Sequence, residues 1–138
     1  MKDQSRGFSL VELIVVVAIM AVLVGVLAPA YLAYVEKTRI QRDESAAGEI
    51  FRAAEIVVYT GQYDISGTVL VTFDSSGINL NTALINNAQI QDILRDHFGN
   101  QYQTAKPVSK KYQNMTYTVT ILPPEGDDLM PQLSAAWS

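Results

Sequence analysis

From Phe8 to Ala33 the chain is almost wholly apolar, interrupted by Ser9, Glu12, Gly25 and Pro29. A bilayer crossing needs about 20 apolar residues, so this stretch is long enough to span one. Ahead of it, residues 1–7 are polar and carry Lys2 and Arg6. Basic residues on the short side predict that this side stays cytoplasmic and that the remainder lies outside. From Glu36 to Tyr59 the pattern changes. Charged residues open the segment (Glu36, Lys37, Arg39, Arg42, Asp43, Glu44), and apolar positions then recur at Ala47, Ile50, Phe51, Ala54, Val57 and Val58. That spacing predicts a helix with one packed and one solvated face, closed at Thr60-Gly61.

If Phe8–Tyr59 is one helix, it is about 78 Å long. Its apolar half cannot stand alone in water and must sit in lipid or among neighbouring helices. Pro29 removes a backbone donor and is expected to kink or locally melt the helix; Gly25 lowers its local stability further. Downstream, Thr68–Asp74 reads as a strand closed by Ser75-Ser76-Gly77, and Ile78 and Leu80 as a short second strand. Asn87–Phe98 reads as a short helix, with Ile90, Ile93, Leu94 and Phe98 on one side. Lys111–Leu122 reads as a strand, with Met115, Tyr117, Val119 and Ile121 on one face. The last stretch, through Gly126, Asp127, Asp128 and Pro131, reads as loop. The expected fold is α+β: a long N-terminal helix packed on a small, mostly antiparallel sheet.

Three fates are open to the apolar segment. It could be an uncleaved anchor. It could be a secretory signal cut at Ala28-Pro29-Ala30, although a signal's apolar core is usually about 7–15 residues. It could also be cut before Phe8, leaving the apolar helix attached. Glu12 separates these. A carboxylate in the hydrocarbon costs about 2.5–3.5 kcal/mol on insertion scales and is kept mainly where it has a partner. No Lys, Arg or His lies between residues 8 and 36. Cleavage after Gly7 would create a cation nearby, the α-amine of Phe8. That amine, from the same chain or a staggered neighbour, could pair with Glu12 and fix an axial register.

The run Arg6-Gly7-Phe8-Ser9-Leu10-Val11-Glu12-Leu13 resembles the prepilin processing motif of type IV pilins and their pseudopilin relatives. A short basic leader ends in glycine, an aromatic residue follows, and a glutamate stands fifth in the mature numbering. Pro29 also falls where many of these proteins have proline. The resemblance implies that a membrane prepilin peptidase cuts at Gly7–Phe8 and methylates the new amine. It implies that Glu12 aligns the subunit during assembly and that a melted stretch near Pro29 permits extension. It further implies a helical homopolymer, fed from the membrane lipid by an assembly platform in the cytoplasmic membrane. The subunit would begin as a single-pass membrane protein with its N-terminus inside and end in an extracellular filament. The expected divisions are a leader at 1–7, a transmembrane and filament-core helix at 8–35, and a globular head at 36–138. The alternative is a pseudopilin of a type II secretion or competence DNA-uptake machine.

Composition adds exclusions. The chain has 138 residues, no cysteine and a formal net charge of -4. Disulfides and thiolate metal sites are therefore excluded, and no general affinity for nucleic acid is expected. Removing residues 1–7 leaves 8 basic and 13 acidic residues, or -5. No catalytic set is present: no P-loop, no nucleophile elbow and no histidine pair. His97, the single histidine, reads as a surface residue near a helix C-terminus. Glu125, Asp127 and Asp128 are candidate calcium ligands in a loop whose spacing is not that of an EF-hand. Lys106, Lys110 and Lys111, near Tyr102 and Tyr112, form a small basic patch that reads first as a solvated face. Asn114-Met115-Thr116 is a glycosylation-type sequon on a predicted strand. Phe8, Tyr31, Tyr34, Phe51 and Tyr59 read as packing aromatics between subunits. No enzyme, cofactor or specific nucleic-acid partner is expected.

Overall fold

The computed structural model describes residues 7–60, 67–81, 88–127 and 130–138. The chain divides into two compact units, residues 1–36 and 37–138. One helix, α1 (Leu10–Tyr59, 50 residues), runs through both. It stays helical through Gly25 and Pro29. Its last carbonyls are closed by Thr60, whose amide and hydroxyl both donate to the Ile56 carbonyl, at 3.0 and 2.8 Å. Gly61, the other half of the expected stop, lies outside the described residues.

In the second unit α1 buries Asp43, Ala47, Ile50, Ala53, Ala54, Val57 and Val58. The three-and-four spacing puts these residues on one face. That face packs on a four-stranded antiparallel sheet of order β2-β1-β3-β4. The strands are β1 (Val69–Asp74), β2 (Gly77–Leu80), β3 (Tyr117–Leu122) and β4 (Gln132–Trp137). The inward rows match across the sheet: Val69 lies opposite Ile121, and Val71 opposite Val119. A second helix, α2 (Ala88–Phe98), adds the fully buried Ile90 and Leu94 to the same core. Each large aliphatic side chain buried in this way contributes about 1.5–3 kcal/mol. The expected α+β arrangement is the one observed.

The β1–β2 hairpin turns on Ser75 and Ser76, with Asp74 opposite Gly77. The Asp74 carboxylate accepts hydrogen bonds from the Ser76 hydroxyl and, at 2.7 Å, from the Ser76 amide. The hydroxyl bond chiefly, with the Ser76 and Gly77 amides, holds the Asp74 carboxyl below the usual carboxylate range against a small opposing effect of burial. Gly77 has φ +126°, and a Cβ there would stand 1.7 Å from the Gln103 carbonyl oxygen. Only glycine fits where the hairpin closes on the short 3₁₀ helix Tyr102–Thr104.

Two expectations are corrected. The predicted strand at 111–122 begins only at Tyr117; residues 110–114 form turns. There the Ser109 carbonyl accepts from the Gln113 amide (3.0 Å) and the Tyr112 carbonyl from the Met115 amide (3.0 Å), so these residues cannot join a ladder. Asn114 of the sequon is exposed in that turn, not in a strand. The C-terminal β4 has no counterpart in the sequence pattern, because Leu-Ser-Ala-Ala is a weak strand former. It is held instead by full pairing with β3 and by Trp137. The Trp137 ring stacks on Tyr112 at 4.2 Å and meets Tyr117 and Phe73 at 5.1 and 6.0 Å. Burial in this cluster raises the Tyr117 phenol above its usual range.

Asp43, one of the charged residues that open this part of α1, lies in the interior, with 1% exposure. Its carboxylate accepts from the Val108 amide at 3.0 Å, the Ser109 amide at 2.8 Å and the Ser109 hydroxyl at 2.5 Å. These bonds tie the 105–111 segment to the second turn of α1 within this unit. Removing the carboxylate would leave buried donors without an acceptor, at a cost on the order of 3 kcal/mol. Asp43→Ala is therefore expected to lower the Tm of the head by more than about 10 °C in a thermal melt followed through Trp137 fluorescence. Asp43→Asn, which keeps an acceptor oxygen, should recover part of that loss.

Candidate assembly segment

The start of α1 is closed by its own side chains. The Ser9 amide donates to Glu12 Oε2 at 3.1 Å, and the Glu12 amide donates to Ser9 Oγ at 3.2 Å. The Leu13 amide reaches the Ser9 carbonyl at 3.3 Å. Two of the four amides that a helix start leaves open are thus satisfied reciprocally, as in a capping box. The Glu12 carboxylate also sits at the positive end of the helix dipole. Glu12 therefore has a partner before any cleavage: the backbone of Ser9. Ser9-x-x-Glu12 is the sequence signature of this cap; it goes unread when Glu12 is weighed only as a charge in lipid.

Gly7 and Phe8 precede the helix and are exposed, Phe8 to 94%. Along α1 every large apolar side chain from Leu10 to Leu32 keeps at least 47% of its surface open. Tyr31 and Tyr34 are exposed as well. The helix is long and apolar enough to cross a membrane. Among the described residues of its own unit nothing covers it, unlike the second half of α1.

Residues 2–28 match the family profile described as Prokaryotic N-terminal methylation motif. This chain carries that motif. The motif contains the Gly7–Phe8 peptide, the whole capping box and most of the uncovered apolar run. Among curated proteins, the chain is similar to a Fimbrial protein of Pseudomonas aeruginosa, with 35% identity over 89 residues, 56% of this chain and 57% of that protein. It is also similar to the Type IV major fimbrial protein FimA of Dichelobacter nodosus, with 36% identity over 62 residues, 45% of this chain and 40% of that protein. The chain thus spans from two fifths to somewhat over half the length of these relatives. By name both are fimbrial proteins. No solved structure matches the chain.

Outside the methylation motif the remaining candidates disperse. Glu125 and Asp127 are exposed on either side of Gly126, and Asp128 lies outside the described residues. Among the described residues no group of three His, Asp or Glu side chains is placed to hold a metal. His97 is more than a bystander at a helix end. Its Nε2 lies 3.0 Å from Glu49 Oε2 on α1, and its Nδ1 lies 3.3 Å from the Ile93 carbonyl. It thereby links α2 to α1.

Of the basic loop, Lys106, Lys110 and Lys111 are exposed, but Tyr102 and Tyr112 are 4% and 5% exposed. Their rings belong to the core and offer no stacking platform for bases. Lys111 lies 4.5 Å from the centre of the Tyr112 ring and 3.7 Å from Glu44, which also accepts from the Tyr112 hydroxyl at 2.8 Å. A side-chain hydrogen bond with Tyr112 chiefly, with the charges of Tyr112 and Glu44 and against the opposing effect of burial, pushes the Lys111 ammonium above its usual range.

The cap carries the prediction here. Ser9→Ala removes one acceptor and frees Glu12, which should cost the helix start about 1 kcal/mol. Hydrogen exchange of the Glu12 and Leu13 amides should quicken roughly fivefold, while the Ile50–Val58 amides exchange as in the wild type.

Proposed function

We propose that this chain is the subunit of a type IV pilus-like filament, matured by cleavage after Gly7 and assembled through the apolar half of α1. The observation that carries the reading is a methylation motif at the head of a 50-residue helix whose first half, among the described residues of its own unit, leaves its large apolar side chains exposed. That half needs an apolar surrounding at every stage. The bilayer supplies it first, with the head outside. Other copies of the helix supply it afterwards, so one surface serves both as anchor and as polymer contact.

Gly7 and Phe8 are exposed and lie ahead of the helix, which supports access of a peptidase to the bond between them. Cleavage there creates an α-amine beside the capping box. Glu12 then has two possible donors of different strength: the neutral Ser9 amide and a cationic Phe8 amine. In a dry bundle the charged donor is the stronger partner. An amine from the neighbouring subunit would draw Glu12 into an intersubunit pair that sets the axial stagger. Pro29 lacks an amide and Gly25 adds backbone freedom, so the helix would open there if the filament is stretched. The similarity to fimbrial proteins of Pseudomonas aeruginosa and Dichelobacter nodosus supports the filament reading.

Glu12→Ala is expected to leave head folding unchanged, by Trp137 fluorescence, and to cut sheared surface filaments by more than tenfold; filament yields at wild-type level would sink the proposed role. Gly7→Leu is expected to block maturation. Intact mass of the recovered protein checks this: the wild type should begin at a methylated Phe8 and the variant at Met1.

A further inference from the structure

Basic residues are concentrated where the head meets the apolar helix. Lys37, Arg39 and Arg42 lie on the first turns of α1 in the second unit. The Asp43 carboxylate, one residue on, takes up the Val108 and Ser109 amides and so brings the segment bearing Lys106, Lys110 and Lys111 to the same turns. Six of the chain's ten basic residues thus gather there, against the three acidic residues Glu36, Asp43 and Glu44. Elsewhere beyond residue 35 there are two basic and nine acidic residues. The junction is net +3 and the rest of the head net -7.

Asp43 adds no exposed negative charge, because it is buried and fully engaged by its donors. Glu44 is shared with Lys111 and Tyr112. Arg42 and Lys106 share a groove of about 240 Å³ floored by Phe73, Phe98 and Ala105, with Glu49 on its rim. Glu49 is itself engaged by His97 at 3.0 Å. Arg42 also borders a second groove with Thr38, Arg39 and Val108.

We infer that this basic collar binds the anionic phospholipid headgroups of the membrane that the apolar helix occupies. The inference rests on the membrane-anchored stage of the proposed function. Position supports it. Arg42 follows Val35 by seven residues of helix, about 10 Å of rise. The headgroup layer beside the hydrocarbon is about 5–8 Å deep, and charges act beyond it over about 8 Å at physiological salt. The collar therefore falls within the field of the lipid surface, where each Lys or Arg strengthens attraction to anionic lipid roughly fivefold. The acidic remainder of the head is repelled by the same surface, so the pair of effects favours one orientation of the waiting subunit. A collar that instead met the acidic surface of a second copy would respond to protein density and not to lipid charge.

The full chain is tested in vesicles. Because it has no cysteine, Gln113→Cys, in the exposed turn beside the collar, gives a unique dye site. Vesicles of phosphatidylcholine alone are compared with vesicles one third phosphatidylglycerol, both carrying a headgroup quencher. Flotation reports anchoring, and Trp137 fluorescence reports that each variant keeps its fold. The expected result is flotation with both vesicles, quenching several-fold stronger with the anionic ones, and loss of that difference at high salt. Combining Arg42→Gln, Lys106→Gln and Lys111→Gln should abolish the difference while flotation persists. Equal quenching in both vesicles, or a triple variant that behaves as the parent, overturns the collar and leaves the anchor intact. Quenching that follows the protein-to-lipid ratio and not lipid charge assigns the collar to a second copy and overturns the lipid reading. Failure to float with either vesicle overturns both the collar and the membrane-anchored stage.

Discussion

A helix whose first half exposes its large apolar side chains must take its apolar surroundings from elsewhere, and this requirement governs the chain. The same helix, α1, is an ordinary amphipathic core element from Asp43 onward, with one face closed against a sheet. Before residue 36 it has side chains suited to hydrocarbon on all sides and one carboxylate near its start. Burial in the head gives the domain its own stability. The exposed half is available for lipid or for other copies. On the proposed function, anchor and polymer contact would be one surface used in two settings.

Glu12 is easier to understand once its cap is seen. A carboxylate at the third position of a helix satisfies an open amide and lies at the positive end of the dipole, so its cost near a membrane surface is partly offset within the chain. On the proposed function, a new α-amine at Phe8 would not give a lone charge its first partner. It would offer a stronger donor in competition with the Ser9 amide, a physical route from a closed helix end to a carboxylate engaged by a neighbour.

Asp43 plays the corresponding part in the head. One buried carboxylate gathers two backbone amides and a hydroxyl from a segment some 65 residues later. In doing so it orders the turn at 109–113, on which Tyr112 meets Trp137 and through it β4. The same bonds carry three lysines to the start of the head. The charge asymmetry there follows from a buried acid, because the acid that draws the basic segment in is removed from solvent while the basic side chains stay out.

The sequence by itself determined the features that depend on neighbours along the chain. The uninterrupted apolar run, the three-and-four spacing at 47–58, the alternation at 117–121, the Gly7–Phe8–Glu12 constellation and the Ser9-x-x-Glu12 cap are all local patterns, because helix and strand periodicities and caps act over a few residues. The α+β fold follows from their order. Tertiary structure alone decided what depends on distant partners. Asp43 reads as one of a run of surface charges, yet it is buried by donors from residues 108 and 109. Residues 132–136 are weak strand formers, yet they pair because β3 presents a free edge and Tyr112 a ring for Trp137. Tyr102 and Tyr112 look available beside lysines and prove to be core. The lysines at 106–111 and the basic residues at 37–42 are far apart in sequence and become one collar only because a long-range hydrogen-bond network closes the loop between them.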